Sequence, residues 1–296
     1  MQPLVWDRRP DSLRSPAMVC AFRGWNDAAD AASAALTFVG TAFNAQRFAR
    51  IDPEEFFDFQ STRPTIKLTD GRAREITWPE VEIYEARIPR APRDLVLVSG
   101  PEPSMRWPSF CKSIIDLAEV LGCQLIVTLG ALLADVPHTR PVNITGIASD
   151  DALVERLGLG AASYEGPTGI TGALHVVCDK AGIPSASLWA AVPHYVAAAP
   201  NPKAALALVR KLESLVGVSV DASDLESAAV EYERQVNLAV KADPDVQAFV
   251  ERLEEAAVEE EVEDVDPTDL PSGDVIAREF QRFLRQRGSG SGPAGT

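Results

Sequence analysis

The chain has 296 residues, of which 46% are hydrophobic and 24% charged, and a formal net charge of −15. That length buries a sizeable core as one large domain or two small ones, and the composition excludes fibrous and disulfide-scaffolded classes. No uncharged apolar run reaches the length of about 18 residues that a membrane span needs, so none is expected.

Met1–Pro16 carries Asp7, Arg8, Arg9, Asp11 and Arg14 and lacks the apolar stretch of a secretion leader. Ala17–Phe22 is a short apolar run, read as a strand, and Arg23-Gly24-Trp25-Asn26 follows it. An Ala-rich helix to about Val39 is then expected, capped by Asn26 or Asp27. Arg47–Ile51 reads as a second strand. Thr65–Leu68 and Glu75–Trp78 flank an Asp70-Gly71 turn, a hairpin signal. Val81–Ile88 alternates as a half-buried strand does.

Asp94–Ser99 and Gln124–Leu129 are near-continuous apolar runs, the pattern of strands covered on both faces. Between them, Ser109–Leu121 places Phe110, Ile114, Leu117 and Leu121 on one helical face. Val142–Ala148 reads as a strand, Asp150–Leu157 as a short helix, and Thr168–Ala181 as a helix ended by Gly182. Pro184–Val192 is a buried strand, and Asn201–Val216 a helix ended by Gly217. Strands alternating with helices predict an α/β fold, a three-layer α/β/α sandwich with a mainly parallel sheet, over residues 1–217.

After Gly217 only helical patterns remain. Ala222–Val240 and Asp243–Val258 are expected to form a helical hairpin packed on the core, over residues 218–260. Between Glu254 and Asp274 stand ten acidic residues and no basic one, so the remainder carries only −5. An acidic linker is therefore expected over 261–273. An amphipathic basic helix follows over 274–287, with Ile276, Phe280, Phe283 and Leu284 on one face and Arg278, Arg282, Arg285 and Arg287 around it. A disordered tail is expected at 288–296. No basic stripe with interleaved aromatics appears, which argues against nucleic acid.

In open α/β sheets ligands bind beyond the carboxyl ends of the strands. The residues following the apolar strands are Gly24, Trp25, Asn26 and Asp27; Glu102, Arg106 and Trp107; Gly130 to Arg140 with Asp135 and His138; and His194 and Tyr195. If these loops share one edge they line a single cleft or interface. Tyr164-Glu165-Gly166-Pro167-Thr168-Gly169 feeds a helix N-terminus, whose free N–H groups suit an anion. It lacks the Lys and spacing of a phosphate-binding P-loop. No G-x-G-x-x-G follows the first strand and no G-x-S-x-G elbow exists, so neither a dinucleotide nor a serine nucleophile is indicated. The three His and four Cys show no metal spacing, and Cys20, Cys111, Cys123 and Cys178 read as buried free thiols in a reducing cytoplasm.

Four segments together carry a resemblance. Ala21-Phe22-Arg23-Gly24-Trp25-Asn26-Asp27-Ala28, Gly130–Arg140, Tyr164–Ile170 and Ser187-Leu188-Trp189 through Val192-Pro193-His194-Tyr195 resemble the proteasome assembly chaperone 2 family, in its bacterial branch, over roughly Met18 to Val258. The resemblance implies a fold similar to nucleoside phosphorylases and a non-enzymatic, ATP-independent assembly or chaperone-like role without cofactor. It also implies self-association, with a trimer among the options, and a protein partner. The chain ends Pro293-Ala294-Gly295-Thr296, without the hydrophobic–tyrosine–any-residue tail by which some relatives dock. The alternative reading is a small-molecule binder or enzyme in the strand-end cleft. There Asp135 or His138 would supply acid–base chemistry, Arg140 would hold an anion, and Trp25 or Trp107 would stack a ring.

Overall fold

A computed structural model of the chain describes residues 3–69, 73–149, 153–154, 166–196 and 198–263. The chain divides into two compact units, Met1–Pro244 and Asp245–Thr296. The first holds one eight-stranded sheet. Its strands are β1 (Leu4–Trp6), β2 (Ala17–Arg23), β3 (Gln46–Ile51), β6 (Val81–Ala86), β7 (Leu95–Pro101), β8 (Leu125–Ala134), β9 (Ile144–Ala148) and β10 (Ser185–Pro193). A separate two-stranded ribbon consists of β4 (Thr65–Thr69) and β5 (Ala73–Thr77).

The strand order is β1-β3-β6-β7-β2-β8-β10-β9. The four central strands, β7, β2, β8 and β10, run parallel, and antiparallel strands extend the sheet on both sides. Apolar runs account for this centre. Every residue of β2 from Ala17 to Phe22 is buried, as the sequence predicts for a strand covered on both faces.

Side-chain alternation splits β2 between two cores. Ala17, Val19 and Ala21 pack with helix α1 (Ala31–Ala42) and helix α4 (Pro202–Val216). Met18, Cys20 and Phe22 pack with helix α2 (Trp107–Leu121) and helix α3 (Ile170–Ala181). The result is the expected α/β/α sandwich. Glycine ends three of these helices in the left-handed region: Gly122 (φ 68°), Gly182 (φ 68°) and Gly217 (φ 70°). Helix α5 (Ser223–Lys241) packs on α4.

Several boundaries differ from the sequence reading. Gly130–Ala134, expected as a loop, continues β8 and pairs with Trp189–Pro193 of β10. Gly130 interrupts the apolar run because Trp189 lies across it: a Cβ there would stand 2.6 Å from the indole ring. Strand β1 is only three residues long and carries no legible pattern. Helix α3 starts at Ile170 rather than Thr168. The division between units falls at Pro244, between the two helices expected to pair. Helix α6 (Pro244–Glu263) extends three residues into the segment expected as linker. The Asp70–Arg72 turn, most of Asp150–Leu157 and residues 264–296 lie outside the described residues. Among the described residues no helix is long and apolar enough to cross a membrane.

One topological fact positions the site. Strands β3 and β7 both pair antiparallel with β6, so they point the same way. The ribbon, inserted between β3 and β6, therefore rises from the edge where the parallel strands end. Backbone bonds from Ser104 and Met105 to the Phe56 carbonyl (2.8 and 3.2 Å) tie the ribbon's approach to the end of β7.

Candidate functional site

The polar residues at this edge form two hydrogen-bonded groups on opposite sides of the sheet. The first joins the ends of β2 and β7 to helix α3. Asn26 is fully buried; its Nδ2 donates to Glu102 Oε1 at 2.6 Å, and its Oδ1 accepts from Thr171 Oγ1 at 3.2 Å. The same Glu102 oxygen accepts from the Ile170 backbone N–H at 2.8 Å. Glu102 thus places a carboxylate at the positive end of α3, where the first N–H groups lack helical partners. The anion expected at this N-terminus is a side chain of the protein itself.

Close approach dictates two glycines here. A Cβ on Gly169 would lie 2.1 Å from Asn26 Oδ1. Gly24 has φ 141°, and a Cβ there would meet Glu102 Cβ at 3.3 Å.

Asp27 points to the other face. Its Oδ1 accepts from Ala32 N (2.7 Å) and Ser33 N (3.3 Å), so its side chain serves the first turn of α1 from across a short 3₁₀ turn, while Asp30 occupies the N-cap position itself. The other oxygen, Oδ2, is buried with no hydrogen-bond partner, and burial raises the carboxyl's pKa above its usual range. Ala29 and Asp30, between Asp27 and the helix, both adopt left-handed backbone (φ 50° and 52°), a strained run for two residues with side chains.

The second group belongs to the loop after β8. His138 is 4% exposed. Its backbone N–H donates to Tyr195 Oη at 2.7 Å, and its Nδ1 lies 2.7 Å from the same oxygen. The hydroxyl therefore donates to Nδ1, which suits the tautomer with the proton on Nε2, facing Asn237 Oδ1 at 3.3 Å. Lys203 Nζ donates to the His138 carbonyl (2.6 Å) and pairs with Glu233 at 2.5 Å. Helix α5 thereby holds this loop through Glu233 and Asn237. Sequence reading missed all three of these partners.

The remaining candidates are dispersed. Asp135 pairs with His194 at 2.8 Å on the surface. Arg106 pairs with Glu55 at 2.5 Å, and Trp107 donates its indole N–H to the Pro103 carbonyl at 2.6 Å. Arg140 is half-buried in the loop. Gly166 and Thr168 are exposed; Tyr164 and Glu165 lie outside the described residues. Their hydrogen bonds divide them: Asn26 and Glu102 are tied to α3, His138 and Tyr195 to α5. Among the described residues no group of His, Cys, Asp or Glu is arranged to hold a metal.

Apolar exposure is the feature that unites the edge. Of the thirteen large hydrophobic side chains exposed among the described residues, eight belong to it: Trp25, Ile66, Leu68, Ile76, Trp78, Met105, Leu132 and Leu133. Trp25 is 66% exposed and Leu133 60%. Scattered single hydrophobics are ordinary, but a concentration of this kind marks an interaction surface.

Residues 21–240 match the model of the PAC2 family. The chain belongs to the PAC2 family. A PAC2 family protein from Streptomyces avermitilis has 48% sequence identity and a TM-score of 0.74, covering 79% of this chain and 99% of its own. A Mycobacterium tuberculosis structure described as a proteasome-assembly chaperone homologue is 43% identical over the same shares, also with a TM-score of 0.74. An archaeal proteasome activator from Pyrococcus furiosus shares the fold at 17% identity and a TM-score of 0.66, over 81% of this chain and 99% of its own. No curated protein matches the chain. Both bacterial matches cover about four fifths of this PAC2 chain and nearly all of their own.

Proposed function

We propose that this PAC2 protein is a non-enzymatic, ATP-independent assembly or chaperone-like protein of the cytoplasm that binds protein through the strand-end edge. The observation that carries this reading is the division of labour at that edge. Its polar side chains are engaged in holding the fold: Glu102 and Asn26 fix α3, Asp27 holds the first turn of α1, and His138 anchors its loop to Tyr195 and α5. Its apolar side chains face solvent instead. An acid–base site needs titratable groups aimed at a substrate; a protein-binding site needs desolvatable aromatic and aliphatic surface.

The similarity to a proteasome-assembly chaperone homologue suggests the client class, proteasome subunits. The test is ring assembly from purified, unassembled proteasome α-subunits of the same organism, without nucleotide, followed by native mass spectrometry. Acceleration by the wild-type chain, lost in Leu133→Asp, is the expected result. Equal rates with and without the chain reject the reading.

A further inference from the structure

The second unit, Asp245–Thr296, is described only through α6. That helix is amphipathic: Val246, Phe249, Val250, Leu253 and Ala257 recur at the three- and four-residue spacing of one helical face. Burial follows the spacing. Val250 is 6% exposed and the other four are half-buried, whereas Gln247, Glu251 and Glu255 are exposed. A helix standing alone buries no side chain so deeply, so the stripe has a cover. The charge of α6 also calls for one. Residues 245–263 hold eight acids and one base, Arg252. Glu251, Glu255, Glu259 and Glu263 follow at intervals of four, where like charges repel across successive turns. The last turn holds no basic residue, although a helix C-terminus favours a cation.

We infer that residues 274–287 of the same chain fold back as a helix and lay Ile276, Phe280, Phe283 and Leu284 on the α6 stripe. Three observations favour this occupant. The first is pattern. Those four residues recur at the spacing seen in α6, and two helices with one apolar stripe each bury both by pairing. The second is reach. Ten residues, 264–273, separate the end of α6 from the segment. Extended, they span up to ~33 Å, whereas the return from Glu263 to the level of Leu253 needs about 15 Å along the helix. Pro267 and Pro271 keep that link from continuing α6.

The third is charge. Residues 274–287 hold four arginines and two acids, a net +2, against a net −7 for 245–263. After Arg252 these arginines are the next basic residues in the chain. In helical projection Arg278, Arg282 and Arg285 lie opposite the apolar face. They therefore act on the glutamates through the field, within a Debye length of about 8–10 Å, and not as fixed ion pairs. Both helices lie beyond residue 240, where the family match ends. The segment completes its own unit instead of reaching for a client, so the inference is independent of the client-binding reading.

Hydrogen exchange of the full chain, followed by mass spectrometry at about 1 and 50 µM, tests it. In the wild type, peptides covering 246–258 and 276–284 should both be protected, and equally so at the two concentrations. Phe280→Asp combined with Phe283→Asp should speed exchange of both peptides roughly tenfold or more and leave residues 1–240 unchanged. Leu253→Asp should do the same from the α6 side. Arg278→Glu combined with Arg282→Glu, which keeps the apolar face and reverses the charge, should speed both severalfold. An unprotected 276–284 peptide in the wild type would overturn the inference. So would an α6 peptide indifferent to the two phenylalanine changes, or protection that rises with concentration, as a contact between two copies requires.

Discussion

Glu102 Oε1 stands 2.6 Å from Asn26 Nδ2, and the same oxygen takes the first N–H of helix α3. One carboxylate thereby ties the ends of β2 and β7 to a helix that begins 68 positions after Glu102 itself. Removing it strands a buried amide and uncaps α3. Glu102→Ala should destabilise the protein by about 2 kcal/mol, measured by chemical denaturation. A loss below a few tenths would mean the bond contributes nothing to folding.

Gly169 is a steric claim that stands apart from the hydrogen bonds. Alanine there places a methyl group 2.1 Å from Asn26 Oδ1, so Asn26 must leave its position. Gly169→Ala should lower stability by about 2–4 kcal/mol, through overpacking plus the loss of Asn26's bonds. Pairing it with Asn26→Ala should recover part of that loss, because the second change vacates the space. If the double variant is simply the sum of the two singles, the clash is not the cause.

Asp27 predicts a pH dependence of definite sign. Burial, the largest influence on it, raises its folded-state pKa, and the unpartnered Oδ2 does nothing to offset that. A raised folded pKa means stability that is complete below the unfolded value of about 3.9 and lost as pH rises through the folded value. Asp27→Asn keeps an acceptor for Ala32 N and removes the charge. Its melting temperature should therefore gain on the wild type as pH is raised from about 4 toward neutrality. A difference that stays constant across that range would show that Asp27 is not desolvated.

The four cysteines supply a reactivity test. Burial pushes Cys111 up to about 11 and Cys123 and Cys178 to about 12, and raises Cys20 well above its usual value. The thiolate is the reactive form, so a thiol reagent at pH 8 should label the native chain slowly and all four residues quickly in denaturant. Rapid native labelling of Cys20, Cys111 or Cys178 would contradict its burial; Cys123, which the sequence reading also took as buried, is half-buried.

How far these relationships were legible in the sequence depended on whether they were local. The two-sided burial of β2 is written in six consecutive apolar residues, and the hairpin in Asp70-Gly71 between alternating runs. The C-terminal half of β8 was not legible, because Gly130 breaks the apolar run for a reason that resides in Trp189, on a neighbouring strand. The same holds at the site. Asn26, Glu102, His138 and Tyr195 were identifiable as residues following strands, yet what they do is set by Thr171, Ile170 and Asn237. Asn26 and Thr171 are 145 positions apart, and no local pattern links them. The sequence placed these residues after strands that could share one edge; that their hydrogen bonds divide between α3 and α5 is visible only in the fold. The alternation at Ile66, Leu68 and Ile76 was legible, but only the fold shows that these side chains stay exposed while Trp78 packs on Phe59.

The central claim is that the strand-end edge works through its apolar surface rather than its titratable groups. The ring-assembly assay with Leu133→Asp beside His194→Ala tests this most directly. Leu133 is exposed at the end of β8, and His194 forms the nearby surface pair with Asp135. The account predicts that Leu133→Asp reduces the acceleration of assembly roughly tenfold, while His194→Ala leaves it within about twofold of wild type. Acceleration unchanged in Leu133→Asp, or lost only in His194→Ala, would contradict it.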